Sequence, residues 1–138
     1  MANVLIVDDN FDTVEMSREL LESAGHSIRT ENNGAEGLKS LRANPHPDCV
    51  LLDVDMPLLN GPGMAHQMVL HDHGEERIPI VLVSGREDLP QLAARVGTPY
   101  FLRKASNNYC TMLLEIVARA LRERQAPRHP RNAALAGH

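Results

Sequence analysis

Short apolar runs that end in polar residues recur along the chain. They alternate with segments whose apolar residues lie three or four apart. Val4-Leu5-Ile6-Val7 is followed by Asp8 and Asp9, and Val50-Leu51-Leu52 stops at Asp53. Ile80-Val81-Leu82-Val83 delivers Ser84, and Tyr100-Phe101-Leu102 leads through Arg103 to Lys104. Continuous apolar runs of this length read as strands covered on both faces. His26-Ser27-Ile28-Arg29-Thr30 is more polar and suits a sheet edge. Strands are expected over 3–7, 26–30, 48–53, 78–84 and 99–103.

The intervening segments read as five helices. The first, 12–24, turns Val14, Ser17, Leu20, Leu21 and Ala24 inward, with Asp12 and Glu15 as a capping pair and Gly25 as its stop. Asn33-Gly34 reads as a turn. The second helix, 35–43, buries Ala35, Leu38 and Leu41 and closes before Pro45 and Pro47. The third, 62–72, has Pro62 in its first turn and a stripe of Met64, Ala65, Met68 and Val69. The fourth, 89–96, carries Pro90 early. The fifth, 107–124, gathers Tyr109, Met112, Leu113, Ile116, Val117, Ala120 and Leu121 on one face.

Strand and helix therefore alternate five times. That order calls for an α/β fold with a parallel sheet, helices on both faces and right-handed crossovers. Of the common doubly wound solutions, the flavodoxin-like order 2-1-3-4-5 fits five strands. In such sheets the chemistry sits at the carboxyl ends of the strands. Asp8, Asp9, Asp53, Ser84 and Lys104 would all meet there.

The 138 residues suit one domain, and 43% hydrophobic residues suffice for a core. The expected domain covers 1–124. From Gln125 the periodicity fails, and Pro127, Pro130, Arg128, His129 and Arg131 suggest a disordered, solubilising tail over 125–138. No apolar run reaches the roughly 20 residues of a membrane span, and no secretory signal opens the chain, so a cytoplasmic protein is expected. Cys49 and Cys110 lack metal-ligand spacing and read as reduced, buried residues. A net charge of −4 argues against direct nucleic-acid binding.

Three neighbouring carboxylates, Asp8, Asp9 and Asp53, repel one another and form a hard oxygen site. Magnesium suits it best, with manganese as the substitute, because it accepts a few carboxylates and shares phosphate oxygens. Each residue also has a plainer reading. Asp8-Asp9 could cap a helix, Lys104 could form a rim salt bridge, and Ser84 could cap the fourth helix. Together they describe an acyl-phosphate site, with Asp53 as nucleophile, the metal and Lys104 as electrostatic stabilisers, and Ser84 as orienter.

Over roughly residues 2–122 the chain resembles the receiver domain of bacterial two-component response regulators. The marks are Val4-Leu5-Ile6-Val7-Asp8-Asp9-Asn10, the Asp53-x-x-Met56-Pro57-x-x-x-Gly61 loop, Val83-Ser84, and Gly97 seven residues before Lys104. The resemblance implies that Asp53 takes a phosphoryl group from a histidine kinase or a phosphotransfer protein. It implies that Asp8, Asp9, Asp53 and the backbone carbonyl of Asp55 hold magnesium, and that Ser84 and Lys104 contact the phosphoryl oxygens. It also implies a switch: Ser84 moves toward the phosphate, Phe101 turns inward, and the face made by the fourth helix, fifth strand and fifth helix changes. That face would signal to a downstream protein and could pair two copies. Such a domain is a signalling module that promotes its own phosphorylation and dephosphorylation, not an enzyme acting on free substrates. For Phe101 and Tyr100 the plain alternative is core packing, which suits Tyr100 better.

The match departs from the family pattern after the lysine, where Ala105 stands in place of the usual proline. A cis bond before a non-proline residue costs about 3 kcal/mol, so either a trans bond with a rearranged loop or a strained cis bond is expected. The segment from Ser84 to Lys104 is also slightly short. Asp55 and Arg86 lie two residues beyond Asp53 and Ser84, where the resemblance implies residues that flank the phosphate and tune its lifetime; a pair over the site is one expectation, and two solvated side chains are the plain alternative. His71-Asp72-His73 is a weak zinc candidate, since histidines two apart do not share a helix face. Asp53-x-Asp55 also resembles the nucleophile motif of haloacid-dehalogenase-like phosphatases, although their nucleophile strand opens the chain. A receiver-like interaction module that is never phosphorylated is the third reading.

Overall fold

The computed structural model describes residues 2–43, 45–55, 78–104 and 106–125. The expected helix over 62–72, the Met56–Gly61 loop, His71-Asp72-His73, Ala105 with its peptide bond, and the tail beyond Gln125 lie outside the described residues. The elements in chain order are β1 (Asn3–Val7), α1 (Phe11–Ser23), β2 (Ser27–Glu31), α2 (Gly34–Arg42), β3 (Cys49–Asp53), β4 (Ile80–Ser84), α3 (Leu89–Val96), β5 (Tyr100–Arg103) and α4 (Tyr109–Gln125). Thus α3 and α4 are the fourth and fifth helices of the sequence reading.

The sheet is parallel, in the order β2-β1-β3-β4-β5. Three of the four apolar runs are the central strands, whereas the fourth, Tyr100-Phe101-Leu102, lies in edge strand β5 and is not covered on both faces, since Phe101 and Arg103 are exposed. Every residue of β3 and β4 is buried, and in β1 only Asn3 is not. Polar β2 lies at an edge, as expected.

Side chains alternate across the sheet and divide the core in two. One layer joins Val4, Ile6, Leu51, Val81 and Leu102 to α1 and α4. The other joins Leu5, Val7, Val50, Leu52 and Leu82 to α2 and α3. Helices therefore cover both faces.

Several local expectations need correction. Helix α1 starts at Phe11, and its N-cap is Asn10, whose side chain accepts from the Thr13 amide at 2.9 Å; Asp12 lies inside the first turn. Leu20 is only partly buried and Ala24 is exposed. Asn33 is likewise a cap, accepting from the Glu36 amide at 2.8 Å. Helix α2 buries Gly34, Gly37, Ser40 and Leu41, while Ala35 is exposed and Leu38 half-buried. Small residues let α2 press on β1: a Cβ on Gly37 would lie 2.8 Å from a Val7 methyl. Met112 points outward from α4, and Cys110 is exposed, whereas Cys49 is buried and its thiol is pushed up to about 12 by that burial. Gly25 does end α1, at φ 95°.

Candidate functional site

The site grows from register. Val7 pairs with Leu52, Asp53 with Val83, and Ser84 with Arg103, so the last residues of four strands share one edge. The ladders run slightly past the strands. The Asp8 amide donates to the Glu31 carbonyl at 3.1 Å, and the Lys104 amide donates to the Ser84 carbonyl at 2.9 Å. Parallel pairing thus fixes the backbone of Asp8, Asp53, Ser84 and Lys104 before any side chain interacts.

Asp53 is 2% exposed. Its Oδ1 accepts the Asp55 amide at 2.9 Å, and its Oδ2 lies 3.0 Å from Lys104 Nζ. Asp8 is also buried, and its Oδ1 accepts from the Asn10 amide at 2.8 Å. One carboxylate oxygen from each of Asp8, Asp9 and Asp53 falls within 4.8 Å of the others. Asp8 and Asp9 are not helix caps, because Asn10 holds that role.

Burial pushes the Asp8 carboxyl up to about 6, and the Asp53 charge adds to the shift against the Asn10 hydrogen bond and Lys104. Burial pulls the Lys104 ammonium down, but the bond to Asp53 and the charges of Asp53 and Asp8 outweigh it and hold it above its usual value. Among the described residues, the Lys104 ammonium faces the three acids Asp8, Asp9 and Asp53. That excess of hard, crowded oxygens, with the Asp8 carboxyl raised by burial and by its neighbour Asp53, is the donor chemistry that a small divalent cation fits.

On the β4 side, Ser84 Oγ donates to Asp55 Oδ1 at 2.8 Å and accepts from the Arg86 amide at 2.9 Å. Ser84 does not cap α3. The N-cap is Asp88, and its carboxylate is taken by Arg86 through two bonds of 2.8 Å. The expected Asp55–Arg86 pair is therefore not formed. Arg86 is held by its near neighbour, and Asp55 turns to Ser84 and to the Gly85 amide, 2.9 Å from its Oδ2. The sequence reading missed the Gly85 contact. Its signal was an acid two residues past the Asp53 strand, level with the first residue of the β4 loop.

Lys104 forms no simple rim pair, because its partner is the buried Asp53. Phe101 is 37% exposed on β5 and so is not a core residue here. Tyr100 is buried, donates its hydroxyl to Glu123 Oε1, and carries Arg119 5.0 Å above its ring. Arg103, missed from sequence, donates to the Arg86 and Glu87 carbonyls and ties β5 to the loop after Ser84. Among the described residues, no helix is long and apolar enough to cross a membrane.

Residues 4–113 match the family model for the response regulator receiver domain. The chain is 34% identical over 87 residues to the protein PilH of Pseudomonas aeruginosa, covering 63% of this chain and 70% of PilH. It is 34% identical over 110 residues to the CpxR homologue of Haemophilus influenzae, a transcriptional regulatory protein, covering 78% of this chain but 46% of the relative. The chain thus spans about half the length of such transcriptional relatives. Among solved structures, the chemotaxis protein CheY4 of Vibrio cholerae superposes with a TM-score of 0.75 at 26% identity, covering 88% of this chain and 99% of CheY4. A response regulator from Chloroflexus aurantiacus gives 0.77 at 25% identity, covering 88% and 98%. With the family model matched over most of its length and the strand order agreeing, the chain belongs to the response regulator receiver domain family.

Proposed function

We propose that Asp53 is a phosphoryl acceptor. The observation that carries the reading is the buried Asp53 carboxylate with the Lys104 ammonium 3.0 Å away and Asp8 and Asp9 alongside. The donor is a phosphohistidine on a histidine kinase or a phosphotransfer protein. A carboxylate oxygen of Asp53 attacks phosphorus, the O–P bond forms as the N–P bond breaks, and the electron pair returns to the imidazole nitrogen. Little covalent work falls to the protein, so positioning and charge decide the rate. Lys104 lies against the charge that develops on the phosphoryl oxygens. The Asp55 amide holds the nucleophile's other oxygen in place.

Asp8, Asp9 and Asp53, with the backbone carbonyl of Asp55, are the residues that would hold magnesium or manganese. Bound there, the cation would neutralise phosphoryl oxygens and the crowded acids together. Ser84 turning to the phosphoryl group, and Phe101 turning in from its exposed position, would alter the face of α3, β5 and α4. That face would contact a downstream protein or a second copy. On this reading 1–124 is the receiver, 125–138 a tail, and the protein works in the cytoplasm as a switch.

Incubation with acetyl phosphate and magnesium, followed by intact-mass measurement, tests the acceptor. One added phosphoryl group is expected, and it is lost entirely in Asp53→Ala. Undiminished uptake in that variant would overturn the assignment. Many turnovers on small phosphomonoesters would instead favour a phosphatase.

A further inference from the structure

Asp55 has a second role that rests on the acceptor reading just given. Its two carboxylate oxygens take two donors at the end of β4: Ser84 Oγ–H at 2.8 Å on Oδ1 and Gly85 N–H at 2.9 Å on Oδ2. Among the described residues no salt bridge reaches this carboxylate, and Arg86 spends its guanidinium on Asp88. A carboxylate and a phosphoryl group offer a donor the same thing, a pair of adjacent oxygens sharing negative charge, and the same forks of donors bind both. The donors that grip Asp55 sit beside Asp53. Val83 pairs with Asp53 in the sheet, and the residue after it is Ser84.

Proton count makes the two uses exclusive. A serine hydroxyl has one proton to donate, and a backbone amide has one. While both go to Asp55, neither is available to an oxygen on Asp53. We propose that the Asp55 carboxylate is a built-in stand-in for the phosphoryl group. It fills the β4 cradle before phosphorylation and is displaced when the phosphoryl group arrives. The displacement releases the Asp55 side chain at the moment Ser84 changes partner, so the cradle is never left empty. Asp55 is in this sense a positioning residue that sets how readily the acceptor is charged.

The test compares wild type, Asp55→Ala and Asp55→Asn in two measurements with magnesium present. The first is affinity for beryllofluoride, a phosphoryl analogue. The second is solvent exchange of the Gly85 amide without the analogue. The Asp55 backbone carbonyl, proposed for the cation, is unchanged in both variants. Removing a competitor held by charged hydrogen bonds should tighten beryllofluoride binding about tenfold in Asp55→Ala. Asp55→Asn, which keeps one acceptor oxygen, should fall between. The Gly85 amide should exchange faster in Asp55→Ala. Equal or weaker binding in that variant, with the amide freed, would overturn the stand-in role while the acceptor reading stands. Unchanged exchange would do the same by showing that the contact does not form in solution. If wild type and both variants alike bind no beryllofluoride and gain no mass with acetyl phosphate, the acceptor reading fails and the stand-in fails with it.

Discussion

The two halves of the sheet edge meet their charges in opposite ways. On the β1–β3 side, Asp8 and Asp53 are buried acids a few ångströms apart, and the Asp8 carboxyl is pushed up to about 6 mainly by its burial. On the β4–β5 side Asp55, Asp88 and Arg103 each have a local answer. Asp55 accepts from Ser84 and Gly85, Asp88 from Arg86, and Arg103 donates to two carbonyls. One half is short of positive charge, and the other is satisfied from within. A site built to receive both a cation and an anionic group needs that asymmetry. On the proposed function, the acidic half would gain from the cation, and the satisfied half would exchange a partner to take the anion.

Lys104 spans the two halves. Its ammonium meets Asp53, and its amide meets the carbonyl of Ser84. Lys104→Ala should therefore have the largest effect of the single changes on this comparison. Phosphoryl uptake from acetyl phosphate should fall on the order of 10²–10³-fold, as when an oriented stabilising group is removed. Stability near pH 7 without metal should also fall, by about 3 kcal/mol, because a nearly buried carboxylate loses its counter-charge. The value sits at the low end for buried pairs because the lysine side chain is 24% exposed. Rate measurements and urea unfolding check the two parts. A variant that charges as fast as wild type would mean that Lys104 only balances the acids.

The same asymmetry governs how much was legible in the sequence. Strands β1, β3 and β4 were plain because burial on both faces demands unbroken apolar runs, and that signal sums over several residues. The acids, Ser84 and Lys104 were plain because each ends such a run, and parallel register carries them to one edge. What failed was decided by single contacts. Ala35 and Leu38 have helical spacing, but a shift of one residue along the same spacing puts Gly34 and Gly37 against β1, where close approach matters more than apolar area. Asn10 rather than Asp12 caps α1, since one hydrogen bond decides between adjacent polar residues. Arg86 chose Asp88 over Asp55 because a partner two residues away on the same loop costs less chain entropy to reach. Such choices leave no periodic trace.

Asp8→Asn sharpens the acidic half. The unfolded carboxyl titrates at 3.8 and the folded one at about 6, so the folded state holds more protons between these values. The contribution of Asp8 to stability is then fully present below about pH 3.8 and is lost as pH rises through 6. The loss approaches about 3 kcal/mol at pH 7, at 1.36 kcal/mol per pKa unit. Without metal, Asp8→Asn should be more stable than wild type by about 2–3 kcal/mol at pH 7, with the advantage shrinking toward pH 4. Added magnesium should stabilise wild type and do little for the variant. Urea titrations at pH 4.5 and 7, with and without magnesium, read both effects. A wild type that gains stability between pH 4.5 and 7 relative to Asp8→Asn would reverse the sign of the argument.

Arg103→Ala probes the satisfied half, and the smallest effect is expected there. Its guanidinium reaches the Arg86 and Glu87 carbonyls from an exposed position, so water can replace it at both. The net worth of such bonds is about 0.5–1 kcal/mol, because folding exchanges protein for water partners rather than creating them anew. Asp55, Ser84 and Gly85 keep their mutual contacts without Arg103. The variant should therefore lose less than about 1 kcal/mol in urea unfolding, while the amides of Arg86 and Glu87 exchange faster. A loss of 2 kcal/mol or more would mean that the loop depends on β5 for its shape. The β4–β5 half would then be held from outside and would no longer contrast with the acidic half as a self-satisfied unit.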